Sequence, residues 1–372
     1  MSVRDTLATL IGFPTVSNRP ITELAAYVAE RAEKQGFRVE LFEDPSDATK
    51  VNVVALAGPE KEGGLMLSGH MDVVPTEGQP WTSDPFVLTE RGDRLLGRGT
   101  SDMKGFIAAS IEALDRVDVA ALTEPLALVW THDEEVGCLG AQKLVPRLEG
   151  RLLPKECLIG EPTDFQIFRM HPGHVAVRIV TKGLSAHSSK PDLGRSALKS
   201  MARIIERMNQ LEAELKTEQN LHDFLDRPYT TFNLAQIRGG SAINLVPDRV
   251  TLDLGYRPLP GDNPLAVFRR IEERIREEDA SAEVLRMTQA MLTPDGTPLQ
   301  RMCEKHAAHP RPLAASFATD GGALADLGIE SIIFGPGSID VAHAPDEYVP
   351  TAALVRAVDV VEAMVRERCT TG

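Results

Sequence analysis

At 372 residues the chain is long enough for more than one domain, and its 42% hydrophobic and 25% charged content is that of an ordinary globular protein. The net charge of −14 argues against nucleic acid or an anionic membrane as a partner, because both would require a basic face. The four cysteines form no CxxC pair, and neither a signal-like segment nor an 18-residue apolar span is present. We therefore expect a cytoplasmic protein with reduced cysteines.

Helix and strand patterns alternate along the first part of the chain. Residues 2–12 and 20–36 have the apolar periodicity of helices, and residues 37–42 alternate like a strand. Residues 103–109, which follow Asp102, have the pattern of another helix. Short apolar runs typical of buried strands lie at 52–56, 65–67, 126–130 and 157–160. This alternation predicts an α/β domain with a mainly parallel, mixed sheet covered by helices.

Polar side chains follow several of these apolar runs where the strands should end. The candidates at strand ends or in the loops just after them are His70, Asp102, Glu134 or Glu135, Glu161 and, after a late apolar run at 332–334, His343. Because the carboxyl ends of parallel strands share one edge of a sheet, residues far apart in the sequence can converge there. We expect a polar site at this edge.

The residue types in this set favour metal-dependent hydrolysis. Histidine with several carboxylates and no thiolate suits Zn²⁺, Co²⁺ or Mn²⁺, whereas a structural zinc site would be rich in cysteine. The carboxylates are too many for one tetrahedral zinc, which favours two ions about 3.5–4 Å apart with a bridging carboxylate. In the adjacent pair Glu134 and Glu135, one side chain can bind a metal while the other takes a proton from the activated water.

Five segments resemble a known family. In chain order they are LSGHMDVVP, GRGTSDMKG, THDEEVG, GEPT and AHAPDEY. Together they make essentially the whole chain similar to the M20 family of metal-dependent amidohydrolases and exopeptidases. The segments PWTSDPF (80–86), GRGTSDMKGF and GPGSIDVAHAPDEY most resemble those of acetylornithine deacetylases, which act in arginine biosynthesis. The resemblance implies a homodimeric hydrolase of an N-acyl amino acid, with N²-acetylornithine as the expected substrate.

The resemblance also implies a metal-binding role for five residues. His70 and Glu161 would bind one divalent ion, and Glu135 and His343 would bind the other. Asp102 would bridge the two ions, and a cis peptide bond would follow it. We expect Zn²⁺, with Co²⁺ or Mn²⁺ as alternatives.

Two further residues near the metals receive catalytic roles from the same resemblance. Glu134 would be the general base that activates the water and then passes the proton to the leaving amine. Asp72 would orient the imidazole of His70. Read without the resemblance, Asp72 could be a turn residue, and Glu134 with Glu135 could be the solvated start of a helix.

The middle of the chain has a different pattern. Alternating strands and two amphipathic helices predict an antiparallel sheet with helices on one face. By resemblance, residues 173–290 form an inserted α+β lid and dimerisation domain, and residues 1–172 and 291–372 form the catalytic domain. His187 would reach the partner subunit's active site and stabilise the oxyanion. Asn244 and Arg257 would contact the substrate, with Arg257 binding its α-carboxylate. Alternatively, His187 could cap the next element, and Arg257 could form a surface ion pair.

The sequence leaves several substrates open. Thr319 and Asp320 are expected to border the substrate pocket, at a position where acetylornithine deacetylases usually carry Thr-Glu. The shorter acid could bind a substrate ammonium or could indicate N-acetylcitrulline. Succinyl-diaminopimelate desuccinylase and a general M20 carboxypeptidase are further alternatives. A non-catalytic binding homologue would be expected to have a broken ligand set, whereas this chain has all five ligands and the base.

Overall fold

A computed structural model gives the structure of the protein for residues 2–17, 19–218, 225 and 227–371. The chain divides into two compact units. The first unit is made of Met1–Met170, Leu292–Ala314 and Thr319–Gly372, and the second of His171–Met291 and Ala315–Ala318. Among the helices of the described residues, none is both long and apolar enough to cross a membrane.

The helices and strands are numbered in chain order. The helices are α1 (Val3–Ile11), α2 (Thr22–Lys34), α3 (Lys104–Leu114), α4 (Leu139–Leu148), α5 (Ala197–Thr217), α6 (Ala266–Ile275), α7 (Pro298–Glu304), α8 (Gly321–Leu324) and α9 (Thr351–Cys369). The strands are β1 (Arg38–Asp44), β2 (Asp47–Ala57), β3 (Leu65–His70), β4 (Thr89–Arg91), β5 (Arg94–Leu96), β6 (Leu126–Thr131), β7 (Glu156–Ile159), β8 (Phe168–His171), β9 (His174–Lys182), β10 (Thr231–Gly239), β11 (Arg249–Arg257), β12 (Ala280–Thr288), β13 (Met291–Leu292), β14 (Leu313–Ala314), β15 (Glu330–Ile333) and β16 (Tyr348–Pro350).

The main sheet of the first unit is mixed, with parallel strands at its centre. Its strand order is β1-β2-β6-β3-β7-β15-β8-β13, and β14 pairs with β8. Strands β6, β3, β7 and β15 pair in parallel, whereas β2 is antiparallel to both β1 and β6. Every residue of β3 and β6 is buried, as expected when both faces of a sheet are covered. The predicted α/β class with a mixed sheet is confirmed.

Helix α3 occupies the centre of this unit's core. Almost all of its residues are buried, because α1 and α9 both pack against it. Phe106 on α3 lies edge-on to Trp130 on β6, with ring centroids 6.5 Å apart. A Cβ atom at Gly160 would lie 1.8 Å from the Phe106 ring, so glycine allows the end of β7 to approach α3. The core therefore determines where the residue after Gly160, Glu161, emerges.

The second unit has its own antiparallel sheet, in the order β10-β11-β9-β12. Burial alternates along β9 and β11, so one face of the sheet is covered. Apolar residues of α5 and α6, among them Ile204, Met208 and Ile271, complete a core with Val177 and Leu252. The predicted arrangement of an antiparallel sheet with two helices is therefore present in this part of the chain.

Candidate functional site

Three parallel strands bring predicted ligands to one edge of the main sheet. His70 is the last residue of β3, and Glu161 follows β7 after one glycine. Between β3 and β7 in sequence, β6 ends at Thr131 and leads into the loop that carries Glu134 and Glu135. His70 and Glu161 are 1% and 4% exposed. The strand ends therefore converge as the sequence pattern suggested.

Asp102 lies between two histidines. Its Oδ1 is 2.9 Å from His70 Nε2, and its Oδ2 is 3.3 Å from His343 Nε2. His343 Nε2 is also 2.9 Å from Glu135 Oε2, and His70 Nε2 is 3.8 Å from Glu161 Oε1. Two groups result, His70–Asp102–Glu161 and Asp102–Glu135–His343, and the ligand atoms in each lie within 4.8 Å of one another. The peptide bond after Asp102 is cis, as the family resemblance implied.

Asp72 contacts the site with both its backbone and its side chain. Its carbonyl oxygen lies 2.9 Å from His70 Nδ1, which favours a proton on Nδ1 and leaves Nε2 to face Asp102. Its carboxylate accepts hydrogen bonds from the backbone N–H groups of Glu134, at 3.0 Å, and Glu135, at 3.3 Å. The Asp72 side chain thus holds the loop after β6, and its Oδ1 lies 3.7 Å from the imidazole. The sequence suggested only the imidazole contact.

The loop between β6 and α4 contains two non-glycine residues with left-handed backbone. Asp133 has a φ of 52° and Cys138 a φ of 55°. Such conformations persist where surrounding contacts enforce them. Lys50 is 2.6 Å from Asp133 Oδ1, and the Cys138 thiol donates to Glu134 Oε1 at 3.4 Å. These contacts fix the direction of the Glu134 side chain.

The site is rich in negative charge. Burial and the neighbouring Asp102 raise the pKa of Glu135 to about 7, and the same two causes raise the pKa of Glu161 well above its usual range. Burial likewise raises the pKa of Glu134. Hydrogen bonds to Asp102 and Glu135 raise the pKa of His343 to about 10. Without a bound cation, these raised pKa values favour the protonated forms of the side chains in the site.

These residues fit one or two divalent cations. The Asp102, Glu135 and Glu161 carboxylates with the His70 and His343 imidazoles form the nitrogen and oxygen donor set that Zn²⁺, Co²⁺ and Mn²⁺ accept. Glu135 Oε1 is buried and has no hydrogen-bond partner among the described residues. A cation would satisfy this oxygen and neutralise the carboxylates around it.

Thr319 and Asp320 are both buried. Asp320 Oδ2 accepts a hydrogen bond of 2.5 Å from Thr131 Oγ1 at the end of β6. Asp320, Glu134 and Cys138 form a third group whose ligand atoms lie within 4.8 Å of one another. Burial raises the pKa of Asp320 to about 6. The structure therefore places this acid beside Glu134.

In the second unit, the segments of His187 and Asn244 are adjacent. His187 forms an isolated β-bridge with Leu245, and the Ser188 N–H donates to the Asn244 carbonyl at 2.9 Å. The His187 imidazole is exposed and lies 2.8 Å from Ser189 Oγ. This pair of segments thus presents an imidazole and an amide at the surface of the unit.

Arg257 lines a cavity of about 410 Å³ in the second unit. The cavity lies along β10 and β11, and its polar lining includes His174, Asn233, Asp253 and Arg286. Arg257 forms no ion pair within the described residues, and burial lowers the pKa of its guanidinium. The arrangement differs from the surface ion pair that was the alternative for this arginine.

Some residues that hold the site were not assigned a role from sequence. Cys138 contacts Glu134, Thr131 contacts Asp320, and the buried Glu347 accepts hydrogen bonds from the loop that ends at Asp102. Cys138 and Glu347 lie beside the two glutamates and His343 in the segments THDEEVGC and AHAPDEY. Their position within these two segments is the only sequence signal that could have indicated a role for them.

Comparison with known proteins supports one family. Residues 66–367 match the family model described as "Peptidase family M20/M25/M40". Acetylornithine deacetylase of Myxococcus xanthus is 36% identical over 379 residues, which span 99% of this chain and 98% of that protein.

Solved structures show the same fold. An M20 family metallo-carboxypeptidase from Sulfolobus solfataricus is 21% identical with a TM-score of 0.79, over 98% of this chain and 99% of that chain. The YXEP protein of Bacillus subtilis, a dinuclear metal binding peptidase from the M20 family, is 14% identical with a TM-score of 0.66, over 98% and 97% of the two chains.

We expect Glu135 to lower the thermal stability of the metal-stripped protein as the pH rises from 4.5 to about 7, the interval between its unfolded and folded pKa. His171 and His174, whose pKa burial lowers to about 4, act in the opposite direction, so the contribution of Glu135 is read as a difference between variants. A carboxyl group whose pKa is raised by folding stabilises the fold below its unfolded pKa, and this contribution is lost as the pH rises through its folded pKa. Asp320, raised from 3.8 to about 6, has the same sign. Melting temperatures measured in a chelator across this interval test the expectation.

Substitution of Glu135 separates this effect from general charge repulsion. Glu135→Gln should flatten the decline, whereas Glu33→Gln on the exposed side of α2 should leave it unchanged. With saturating Zn²⁺ the slope should reverse, because protons compete with the metal for the same carboxylates. An unchanged slope in Glu135→Gln would contradict the assignment.

Proposed function

Because the chain belongs to peptidase family M20/M25/M40 and is therefore a hydrolase, we propose that it removes the acyl group from an N-acyl amino acid at a two-metal site. N²-acetylornithine is the proposed substrate, and arginine biosynthesis the proposed setting. The observation that carries the two-metal proposal is Asp102, whose two carboxylate oxygens each face a different histidine. A single-metal site would not need a carboxylate in that position.

In this proposal His70 and Glu161 would bind one ion, Glu135 and His343 would bind the other, and Asp102 would contribute an oxygen to each. Zn²⁺ is the proposed metal, and Co²⁺ and Mn²⁺ are alternatives that the same donors accept. When bound, such ions supply an activated water and polarise the acyl carbonyl. The name of the Bacillus subtilis structure, a dinuclear metal binding peptidase, is consistent with two ions.

Glu134 is the proposed general base. It takes a proton from the attacking water and gives it to the leaving amine. Burial raises the pKa of Glu134 well above its usual range, which makes its carboxylate a stronger proton acceptor. Asp72 holds the Glu134 backbone, and Cys138 contacts its side chain. We propose that Asp320 acts on the reaction through Glu134, because its side chain is buried beside that residue.

Substrate recognition is proposed for the second unit. The Arg257 guanidinium, without an ion pair in the described residues, would bind the substrate α-carboxylate in the cavity that it lines. Asn244 would donate to or accept from the substrate, and His187 would stabilise the oxyanion as a hydrogen-bond donor. The 36% identity to an acetylornithine deacetylase supports an N-acetyl amino acid as the substrate class.

We also propose a homodimer formed through the second unit. Within the described residues, strand β10 is an edge strand that pairs only with β11. Large apolar side chains are exposed on and near it, at Ile237, Ile243 and Leu245. A second copy would cover these side chains and the unpaired strand edge. His187 bridges to Leu245 and would therefore lie close to the partner.

The buried, unpaired cysteines are consistent with the proposed cytoplasmic location.

The substrate proposal is tested by kcat/KM on a panel after metal reconstitution. The panel contains N-acetylornithine, N-acetylcitrulline, N-acetylmethionine, N-succinyl-diaminopimelate and a simple dipeptide. We expect the highest kcat/KM for N-acetylornithine. A preference for the succinyl compound or the dipeptide would keep the metal site and overturn the substrate.

Glu134→Gln should retain two metals and lose turnover by at least about 100-fold, because the base is lost and the ligands remain. Metal content by mass spectrometry and kcat by single-substrate assay test this expectation. Glu33→Gln is the matched control and should behave as wild type. Loss of metal together with activity would make Glu134 a ligand and contradict its role as the base.

A mixed dimer tests the proposed contribution of His187 across the subunits. His187→Ala chains and Glu134→Gln chains should each be impaired as homodimers. The heterodimer should recover turnover at one site, because that site combines an intact Glu134 with the partner's intact His187. Two affinity tags allow the heterodimer to be purified. Activity no higher than that of the two homodimers would place His187 outside the partner's site.

A further inference from the structure

The loop that carries Asp102 is held by one buried carboxylate from the C-terminal part of the chain. Glu347 is fully buried, and its Oε1 accepts hydrogen bonds from the backbone N–H groups of Gly99, Ser101 and Asp102 at 3.1, 2.9 and 3.0 Å. Three converging N–H groups make an anion-binding concavity, and the carboxylate that fills it orders the loop. The position of Asp102 therefore depends on Glu347.

Arg98 and Gln79 connect this carboxylate to His343. Arg98 is 1% exposed and donates through Nη1 to Glu347 Oε2 at 2.6 Å and through Nη2 to Gln79 Oε1 at 2.7 Å. Gln79 Nε2 then donates to the carbonyl oxygen of His343 at 2.9 Å. The indole N–H of Trp81 also donates to Gln79 Oε1, at 3.0 Å, which fixes the orientation of the amide.

The backbone around His343 requires such support. His343 has a φ of 61° and Asp346 a φ of 56°, in the left-handed region that side chains rarely adopt. Asp346 is held separately, because its carboxylate accepts from the N–H and the hydroxyl of Thr82 at 2.9 and 2.8 Å. The segment PWTSDPF thus contributes Trp81 and Thr82 to the support of the segment AHAPDEY.

We infer that Glu347, Arg98 and Gln79 form a positioning network that sets the distance between Asp102 and His343, and so determines the affinity of the ion these two residues share. The inference rests on the two-metal part of the proposed function. The network contacts the backbone of both shared ligands. The other proposed ion has an independent support, because Asp72 holds His70. Among the proposed ligands Gln79 contacts only His343, so substitution of Gln79 should act on the ion that His343 binds and leave the other unchanged.

Gln79 offers the sharpest test, because it is partly exposed and its substitution leaves the buried Arg98–Glu347 pair intact. Gln79→Glu keeps an acceptor for Arg98 and Trp81 but cannot donate to the His343 carbonyl. We expect about tenfold weaker binding of one ion and unchanged binding of the other, within the range typical for residues that orient metal ligands. The added negative charge alone would strengthen cation binding, so the expected change has the opposite sign.

The measurement is a Zn²⁺ titration of the metal-stripped protein against a chromophoric chelator, with Co²⁺ absorption spectra as a second readout. Gln79→Leu should weaken the same ion, and Gln210→Leu, on the exposed side of α5, should titrate as wild type. Glu347→Gln should weaken both ions, because Glu347 holds the backbone of Asp102, which the two ions share. Melting temperatures of the metal-stripped variants report any loss of folding.

The outcomes are distinguishable. Wild-type affinity for both ions in Gln79→Glu and Gln79→Leu would overturn the inference, as would an equal loss of both ions. Selective weakening of one ion, with a changed Co²⁺ spectrum and a wild-type melting temperature, would support it. A wild-type protein that binds fewer than two ions would contradict the proposed function itself, and the network with it.

Discussion

Negative charge withdrawn from water at one edge of the main sheet is the constraint on which the site depends. Asp102 lies within 4.8 Å of Glu161 in one group of side chains and of Glu135 in the other. Burial and repulsion from Asp102 raise the pKa of both glutamates. Two histidines cannot balance this charge unless they are protonated. Divalent cations would do so without protons, since each carries two charges and accepts several oxygen ligands. Divalent cations would therefore both stabilise this edge of the sheet and supply the proposed chemistry.

The side chains of this charged site are positioned by two kinds of backbone structure, strand ends and loops. His70 and Glu161 lie at the ends of strands that are buried on both faces, and their positions follow from the core. The loop residues Asp133, Cys138 and His343 instead have left-handed backbone and depend on polar contacts from elsewhere in the chain. A rigid sheet edge can place two or three ligands, but a bridging carboxylate needs loops held from several directions.

Sequence reasoning located the candidate ligands at the strand ends, because an apolar run followed by a polar residue indicates a strand end. The contact of the Asp72 carboxylate with the loop after β6 could not be predicted from the sequence. That side chain accepts hydrogen bonds from the backbone of Glu134 and Glu135, 62 and 63 positions later. Asp320 was expected at the substrate pocket, and its burial depends on a contact with Thr131 across 189 positions. Such contacts depend on loop conformation, which local periodicity does not encode. The roles of His187, Asn244 and Arg257 stay predictions.

The proposed roles separate chemistry from recognition. The proposed metal ligands and Glu134 belong to the first unit, whereas Arg257 and its cavity lie in the second. Ligand geometry tolerates little change, because a bridging carboxylate must satisfy two ions at once. A cavity wall on an antiparallel sheet tolerates substitution, since alternate side chains of β10 and β11 can change size or charge without altering the ladder. Substrate preference within this arrangement would therefore change through residues of β10 such as Asn233 and Gln236, while the proposed metal site would stay constant.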